Sequence, residues 1–283
     1  MGITVLQEGD VVAGFRIDAP LGEGSTAVIY RATQESLNRT VALKLLSRDL
    51  SDDPAFSERF RREGRLQAAI DHPHIVTVYE AGEAEHGLYL AMRLISGPTL
   101  KQAILAGNPD PRWSVGICSQ LAEALDAAHE VGLIHRDVKP QNVLIGGQDH
   151  AYLADFGLTK DSHGAQLTAT GQFMGTIDYV SPEQARSEGA TPRSDVYQLA
   201  GVLHECLTGA VPYERPTEAA VLFAHLTEPP PRLAERRPDL PAALGDVIAR
   251  GMAKEPSERH QSAGELMREA RRALDAEVPS PSS

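Results

Sequence analysis

Along the first third of the chain, apolar residues cluster in short runs; over most of the rest they recur at helical spacing. Val11–Ile17, Ala27–Arg31 and Thr40–Leu46 are separated by Gly-rich or polar turns and read as strands. In Pro54–Ile70, Phe56, Phe60, Leu66 and Ile70 return at near-helical intervals with Arg and Glu between them, which predicts a helix. Ile75–Ala81 and Gly87–Leu94 read as two further strands.

The pattern changes after Ile95-Ser96-Gly97-Pro98. Residues 111–131 carry the stripe Val115, Ile117, Leu121, Leu125 and Ala128, the mark of a long amphipathic helix. Short strands are predicted around Val143–Ile145 and Tyr152–Ala154, then a long loop to Pro182. Val196–Leu207, Thr217–Thr227, Ala242–Ala253 and Ser262–Ala276 read as helices, with Pro229-Pro230-Pro231 as a break. The reading is an α+β fold in two lobes. Residues 1–95 form a small β-rich lobe, 96–277 a larger, mainly helical one, and 278–283 a Pro/Ser linker-like tail.

Composition narrows the function. Of 283 residues, 27 are Lys or Arg and 39 Asp or Glu, giving a net charge of −12. That balance argues against a nucleic-acid partner, which selects for a basic face. Two cysteines, Cys118 and Cys206, sit in separate apolar segments and read as buried thiols in a reducing compartment. The N-terminus lacks the charged-then-apolar order of a signal peptide, and no apolar run reaches the ~18 residues of a membrane span. The expectation is a cytoplasmic chain, membrane-tethered only if a longer native chain continues past residue 283.

Several residues carry chemistry. Gly22-Glu23-Gly24-Ser25-Thr26-Ala27 lies between two predicted strands, where glycines let backbone N–H groups approach a phosphate. A dinucleotide-binding reading fits worse, because that motif opens a helix and here a strand follows. Lys44 ends the apolar run Val41-Ala42-Leu43, a costly place for a charge without a partner, and Glu63 on the next helix could supply one. His135-Arg136-Asp137-Val138-Lys139-Pro140-Gln141-Asn142 gathers a base, cations and a carboxamide within eight residues. Asp137 can accept a proton from a hydroxyl, Lys139 can stabilise charge on a phosphoryl group, and Asn142 offers a hard oxygen to magnesium. Asp155-Phe156-Gly157 follows thirteen positions later with a second oxygen ligand.

In this order and spacing, with Ser181-Pro182-Glu183 beyond, the set resembles the protein kinases. More closely it resembles bacterial, actinobacterial-type, eukaryotic-like Ser/Thr kinase domains, through phrases such as His72-Pro73-His74-Ile75-Val76 and Gly175-Thr176-Ile177-Asp178-Tyr179-Val180-Ser181-Pro182-Glu183. The resemblance spans roughly residues 10–275. It implies a bilobal kinase fold and transfer of the ATP γ-phosphoryl group to Ser/Thr hydroxyls of protein substrates. His72 and His74 have metal-like spacing, but in such kinases they form a helix-to-strand turn.

The resemblance also implies roles. Lys44 would hold the ATP phosphates and pair with Glu63, and Gly22, Glu23, Gly24, Ser25, Thr26 and Ala27 would cover them. Adenine would lie between Leu21, Ile29 and Ala42 on one side and Leu144 on the other. Met92 would be the gatekeeper and Arg93–Ile95, with Leu94, the hinge. Asp155 and Asn142 would bind Mg²⁺, with Mn²⁺ as an alternative, and Asp137 would take the substrate proton. Asp195 would anchor the catalytic-loop backbone, Glu183 would pair with Arg259, and Thr176 would sit near Asp137 and Lys139. Lys139, two positions after Asp137, favours Ser/Thr over Tyr. A homodimer through the small lobe is a further expectation of the resemblance.

Two positions depart from the family pattern. Ala27 stands where a third glycine is usual, and Arg93 where the hinge acid is usual. Neither removes a catalytic group, and the complete set Lys44, Glu63, Asp137, Asn142 and Asp155 argues against a pseudokinase. The loop from Asp155 to Glu183 is too long and polar to be held by packing alone. A phosphate on Thr168 or Thr170 would face the Arg136 cation and order that loop, so autophosphorylation by a second copy is the expected switch.

Overall fold

The computed structural model describes residues 6–24, 26–107, 109–156 and 177–276. The chain divides into two compact units, Met1–Ser96 and Gly97–Ser283.

In the first unit, β1 (Val11–Val12), β2 (Phe15–Glu23), β3 (Ala27–Gln34), β4 (Arg39–Leu46), β5 (Val78–Ala84) and β6 (Gly87–Arg93) build one antiparallel sheet in the order β1-β2-β3-β4-β6-β5. Period-two alternation sets its faces. Val41, Leu43 and Leu45 of β4 pair with Ala32, Tyr30 and Val28 of β3, and these join Phe15, Ile17, Tyr89 and Ala91 in one buried cluster. The intervening residues form the second face. There Lys44 lies opposite Ile29 and Leu90, and Ala42 opposite Met92.

Two helices, α1 (Arg48–Ser51) and α2 (Pro54–Ala68), separate β4 from β5. The Asp53 carboxylate accepts the N–H groups of Ala55 and Phe56, and Pro54 occupies the first helical position, so the start of α2 is specified locally. Gly64 faces β5, where a Cβ would stand 3.1 Å from that of Ala81.

Two strand assignments need correction. Val11–Ile17 is not one strand: Ala13 and Gly14 take φ of +49° and +81° and turn the chain between β1 and β2. The strand expected from Ile75 starts at Val78, because Ile75 and Val76 bury their side chains while the chain is leaving a turn. In that turn His72 Nδ1 accepts the His74 N–H at 3.2 Å.

The second unit begins with α3 (Leu100–Ala106) and α4 (Pro111–Glu130), followed by a two-stranded ribbon of β7 (Val143–Ile145) and β8 (Ala151–Leu153). After Ile177 come α5 (Pro182–Ala185), α6 (Pro192–Thr208), α7 (Glu218–Thr227), α8 (Leu233–Arg236), α9 (Ala242–Gly251) and α10 (Ala263–Asp275). Every residue of α6 from Ser194 to Leu207 is buried, which makes it the central element of this unit. Asp126 of α4 accepts the Ala263 and Gly264 N–H groups, both at 3.0 Å, and so fixes where α10 starts. Cys118 and Cys206 are free, buried thiols. Among the described residues no helix is long and apolar enough to cross a membrane.

Candidate active site

The glycine-rich turn joins β2 to β3 as a hairpin. Glu23 pairs with Val28, and the Gly24 N–H donates to the Ala27 carbonyl at 2.9 Å. Leu21, Gly22, Glu23 and Gly24 are exposed, so the turn presents backbone to solvent. Ser25 lies outside the described residues. The sheet brings Ile29, Ala42, Lys44 and Met92 onto one face, since directly opposed residues of antiparallel strands share a side. Leu94 follows β6 and is half-buried. Glu63 is buried on α2, with the Arg62 guanidinium 3.7 Å from its carboxylate.

In the second unit, residues 135–142 cross from α4 to β7 and fold around Asp137. Lys139 Nζ lies 2.8 Å from Asp137 Oδ2. The Asn142 amide nitrogen donates to the Asp137 carbonyl at 2.8 Å and to Oδ2 at 3.1 Å. That orientation turns the amide oxygen of Asn142 away from Asp137. Leu144 follows on β7, half-buried.

His135 ties this loop to the segment bearing Asp155. Its Nε2 is 3.0 Å from the Ala154 carbonyl and its Nδ1 3.2 Å from the Asp137 N–H. Only one neutral tautomer satisfies both contacts: Nε2–H donates and Nδ1 accepts. Complete burial holds the imidazole neutral by pushing its pKa down, against the pull of Asp195. The ring also packs on Phe156, centroid to centroid 4.6 Å. The Ala154 N–H returns to the Asn142 carbonyl at 2.9 Å, and Asp155 is then held at φ +57°. A non-glycine residue in that region is kept there by its surroundings.

Asp195, fully buried at the start of α6, accepts the His135 and Arg136 N–H groups, both at 2.8 Å, and His129 Nε2 at 2.7 Å. Arg136 takes φ +66°, and its carbonyl accepts the side-chain amides of Gln184 and Gln198. Gln198 also accepts the Val138 N–H at 2.8 Å. Glu183 and Arg259 meet in a two-pronged pair, 2.8 Å on both arms, with Arg259 fully buried. That pairing holds the Glu183 carboxyl below its ordinary range although burial pushes the other way. Gly157, Thr168, Thr170 and Thr176 lie outside the described residues.

The roles of His135, Gln184 and Gln198 were not read from the sequence. The glutamines reach across 48 and 62 residues to a backbone carbonyl, and no local spacing announces such a contact.

A protein kinase domain model matches residues 15–270. This chain belongs to the protein kinase family. The kinase is 41% identical over 267 residues to serine/threonine-protein kinase PknH of Mycobacterium bovis, covering 94% of this chain and 45% of that protein. It is 40% identical over 274 residues to PknE of Mycobacterium tuberculosis, covering 96% and 48%. The crystal structure of the Mycobacterium tuberculosis PknI kinase domain is similar at a TM-score of 0.78 and 30% identity, covering 95% of this kinase and 100% of that chain. The kinase thus spans under half the length of these two curated relatives. Mycobacterial relatives bear out the actinobacterial-type resemblance, and a β-sheet unit followed by a helical one bears out the expected fold class.

Proposed function

We propose that this chain is an active Ser/Thr kinase that transfers the γ-phosphoryl group of ATP to Ser or Thr hydroxyls of proteins. The carrying observation is the Asp137–Lys139–Asn142 cluster, tied through His135 to the segment bearing Asp155. In this reading the hydroxyl oxygen forms the new bond to γ-phosphorus, the bond from phosphorus to the β,γ-bridging oxygen breaks, and ADP leaves. The hydroxyl proton passes to the Asp137 carboxylate. Lys139 offsets negative charge on the moving group, and Lys44 is assigned to the ATP phosphates by its place in the family motif. The Asp155 carboxylate and the Asn142 amide oxygen are hard donors that fit magnesium, which would supply charge neutralisation at the phosphate oxygens.

Residues 1–95 take the nucleotide-binding part of the work and 96–277 the catalytic part. Phosphorylation of Thr168 and Thr170 by a second copy switches activity on, with Arg136 as the cation that receives the phosphate. A homodimer through the small lobe is a compatible assembly.

Incubating the chain with ATP and Mg²⁺ and reading intact mass tests both parts. The wild type should gain whole phosphates that map to Thr168 or Thr170. Lys44→Met should keep its melt and gain none. A Thr168→Ala/Thr170→Ala double variant should fold and lose most activity on another substrate. A folded wild type that binds nucleotide without transferring phosphate would overturn the kinase reading. A fully active double variant would overturn only the switch.

A further inference from the structure

Residues 177–181 lead into α5. Ile177 and Tyr179 turn inward and are buried, while Asp178 and Val180 are half-buried. The strip lies beside the catalytic loop: Lys139 acts electrostatically on the Asp178 carboxyl, and Gln184, three residues past the strip, donates to the Arg136 carbonyl at 2.9 Å. Tyr179 is fixed from below by its hydroxyl, which donates to the buried Glu205, itself paired with Lys101. The outward half of the strip has a separate anchor. His225, fully buried on α7, places Nε2 at 3.0 Å from the Asp178 carbonyl and Nδ1 at 2.8 Å from the Tyr197 hydroxyl.

Again one tautomer serves both contacts. A carbonyl can only accept, so Nε2 carries the proton, and Nδ1 then accepts from the tyrosine. Burial, helped by the neighbouring Lys254, pushes the His225 pKa down to about 3, so the ring stays neutral at working pH. Lys254 also holds the helix end behind it, donating to the Ala224 and His225 carbonyls at 3.3 and 2.9 Å. Between the strip and the first turns of α7 lies a cleft of about 480 Å³, walled by Ile177 and Asp178 on one side and Thr217, Glu218 and Val221 on the other. His225, on α7, joins those two walls through its hydrogen bond to the Asp178 carbonyl.

We propose that His225 is a positioning residue for the protein substrate: by holding the Asp178 carbonyl, it sets the distance between the strip and α7 and so the shape of the surface on which a substrate chain lies beside Asp137. The inference rests on the kinase reading. It concerns docking of the protein substrate and leaves nucleotide binding and chemistry to other residues.

Two isosteric replacements separate the hydrogen bond from simple packing. The amide nitrogen of Gln falls where imidazole Nε2 stands, so His225→Gln can still donate to Asp178. The shorter Asn matches only the Nδ1 position. A Ser/Thr peptide chosen by the wild type from a degenerate library serves as substrate. His225→Asn should raise the peptide KM about tenfold while kcat and the ATP KM stay within about twofold, the signature of lost uniform binding. His225→Gln should keep a peptide KM close to wild type. An Asn variant with unchanged peptide KM, a Gln variant no better than Asn, or an equal rise in the ATP KM would each overturn the assignment. A wild type that phosphorylates no peptide and gains no phosphate itself would sink the kinase reading instead.

Discussion

In the proposed site Asp155 and Asn142 would offer the same element to a hard cation, but with unequal charge. Asp155 brings a carboxylate on a backbone held at φ +57°, while Asn142 brings a neutral amide oriented by Asp137. A full charge binds a divalent ion directly and offsets more of its cost of dehydration. Asp155→Asn should therefore depress Mg²⁺-dependent transfer by about a hundredfold or more, and Asn142→Ala by clearly less. A magnesium titration of initial rates checks the order, and equal losses would contradict it. At this scale the candidate cluster was most legible, because Asp137, Lys139 and Asn142 lie within one short segment of the sequence and the structure brings their side chains together. His135 shows the limit. Its position was visible, but its work, orienting Asp137 and Ala154 at once, depends on a contact 19 residues away and on burial that fixes the tautomer.

Elements were legible where period and punctuation agreed. Pro54 and Pro111 begin α2 and α4 after aspartate caps, and the apolar stripes run on from there. The helices that escaped the reading are short: α1, α3, α5 and α8 span four to seven residues, too few to display a period. Two of them carried a signal all the same, since Thr99 with Gln102 and Ser181 with Gln184 are capping boxes. The strand drawn through Ala13-Gly14 failed because an apolar run does not reveal two consecutive positive φ values. Between elements, the Glu183–Arg259 pair joins α5 to the segment before α10, with both residues buried. Glu183→Gln leaves a buried guanidinium without its counter-charge and should cost about 3–5 kcal/mol in a denaturant melt. Replacing both residues with leucine should not recover that loss, because Arg259 also donates to the Ala253, Arg193 and Lys254 carbonyls and Glu183 accepts from Ser194.

For the whole molecule, buried histidines make stability depend on pH below neutrality. Burial pushes His204 down to about 4 and His225 down to about 3, from an ordinary 6.5. His135 and His260 shift in the same direction for the same reason. At these four histidines the unfolded chain therefore binds more protons than the folded one below pH ~6.5, and their contribution to stability falls as pH drops from there toward 4. His204 alone accounts for up to about 3 kcal/mol of that fall. Among the described residues its Nδ1 is buried without a hydrogen-bond partner, so an apolar replacement removes an unsatisfied group. His204→Leu should hold or raise the melting temperature at pH 7 and flatten its decline toward pH 4.5. An unchanged slope would contradict the assignment.

The catalytic loop takes its backbone partners from the most deeply buried helix of its unit. The N–H groups of His135 and Arg136 end on Asp195, and that of Val138 on Gln198, all side chains of α6. Loop amides ordinarily exchange with solvent deuterium quickly, through local fraying. Because Asp195 and Gln198 are buried, the exchange of these three amides should be among the slowest in the chain and should track global unfolding as denaturant is added. Flanking amides that lack such partners should exchange through small openings, insensitive to denaturant. A segment irregular in shape would then share the clock of the helix that holds it.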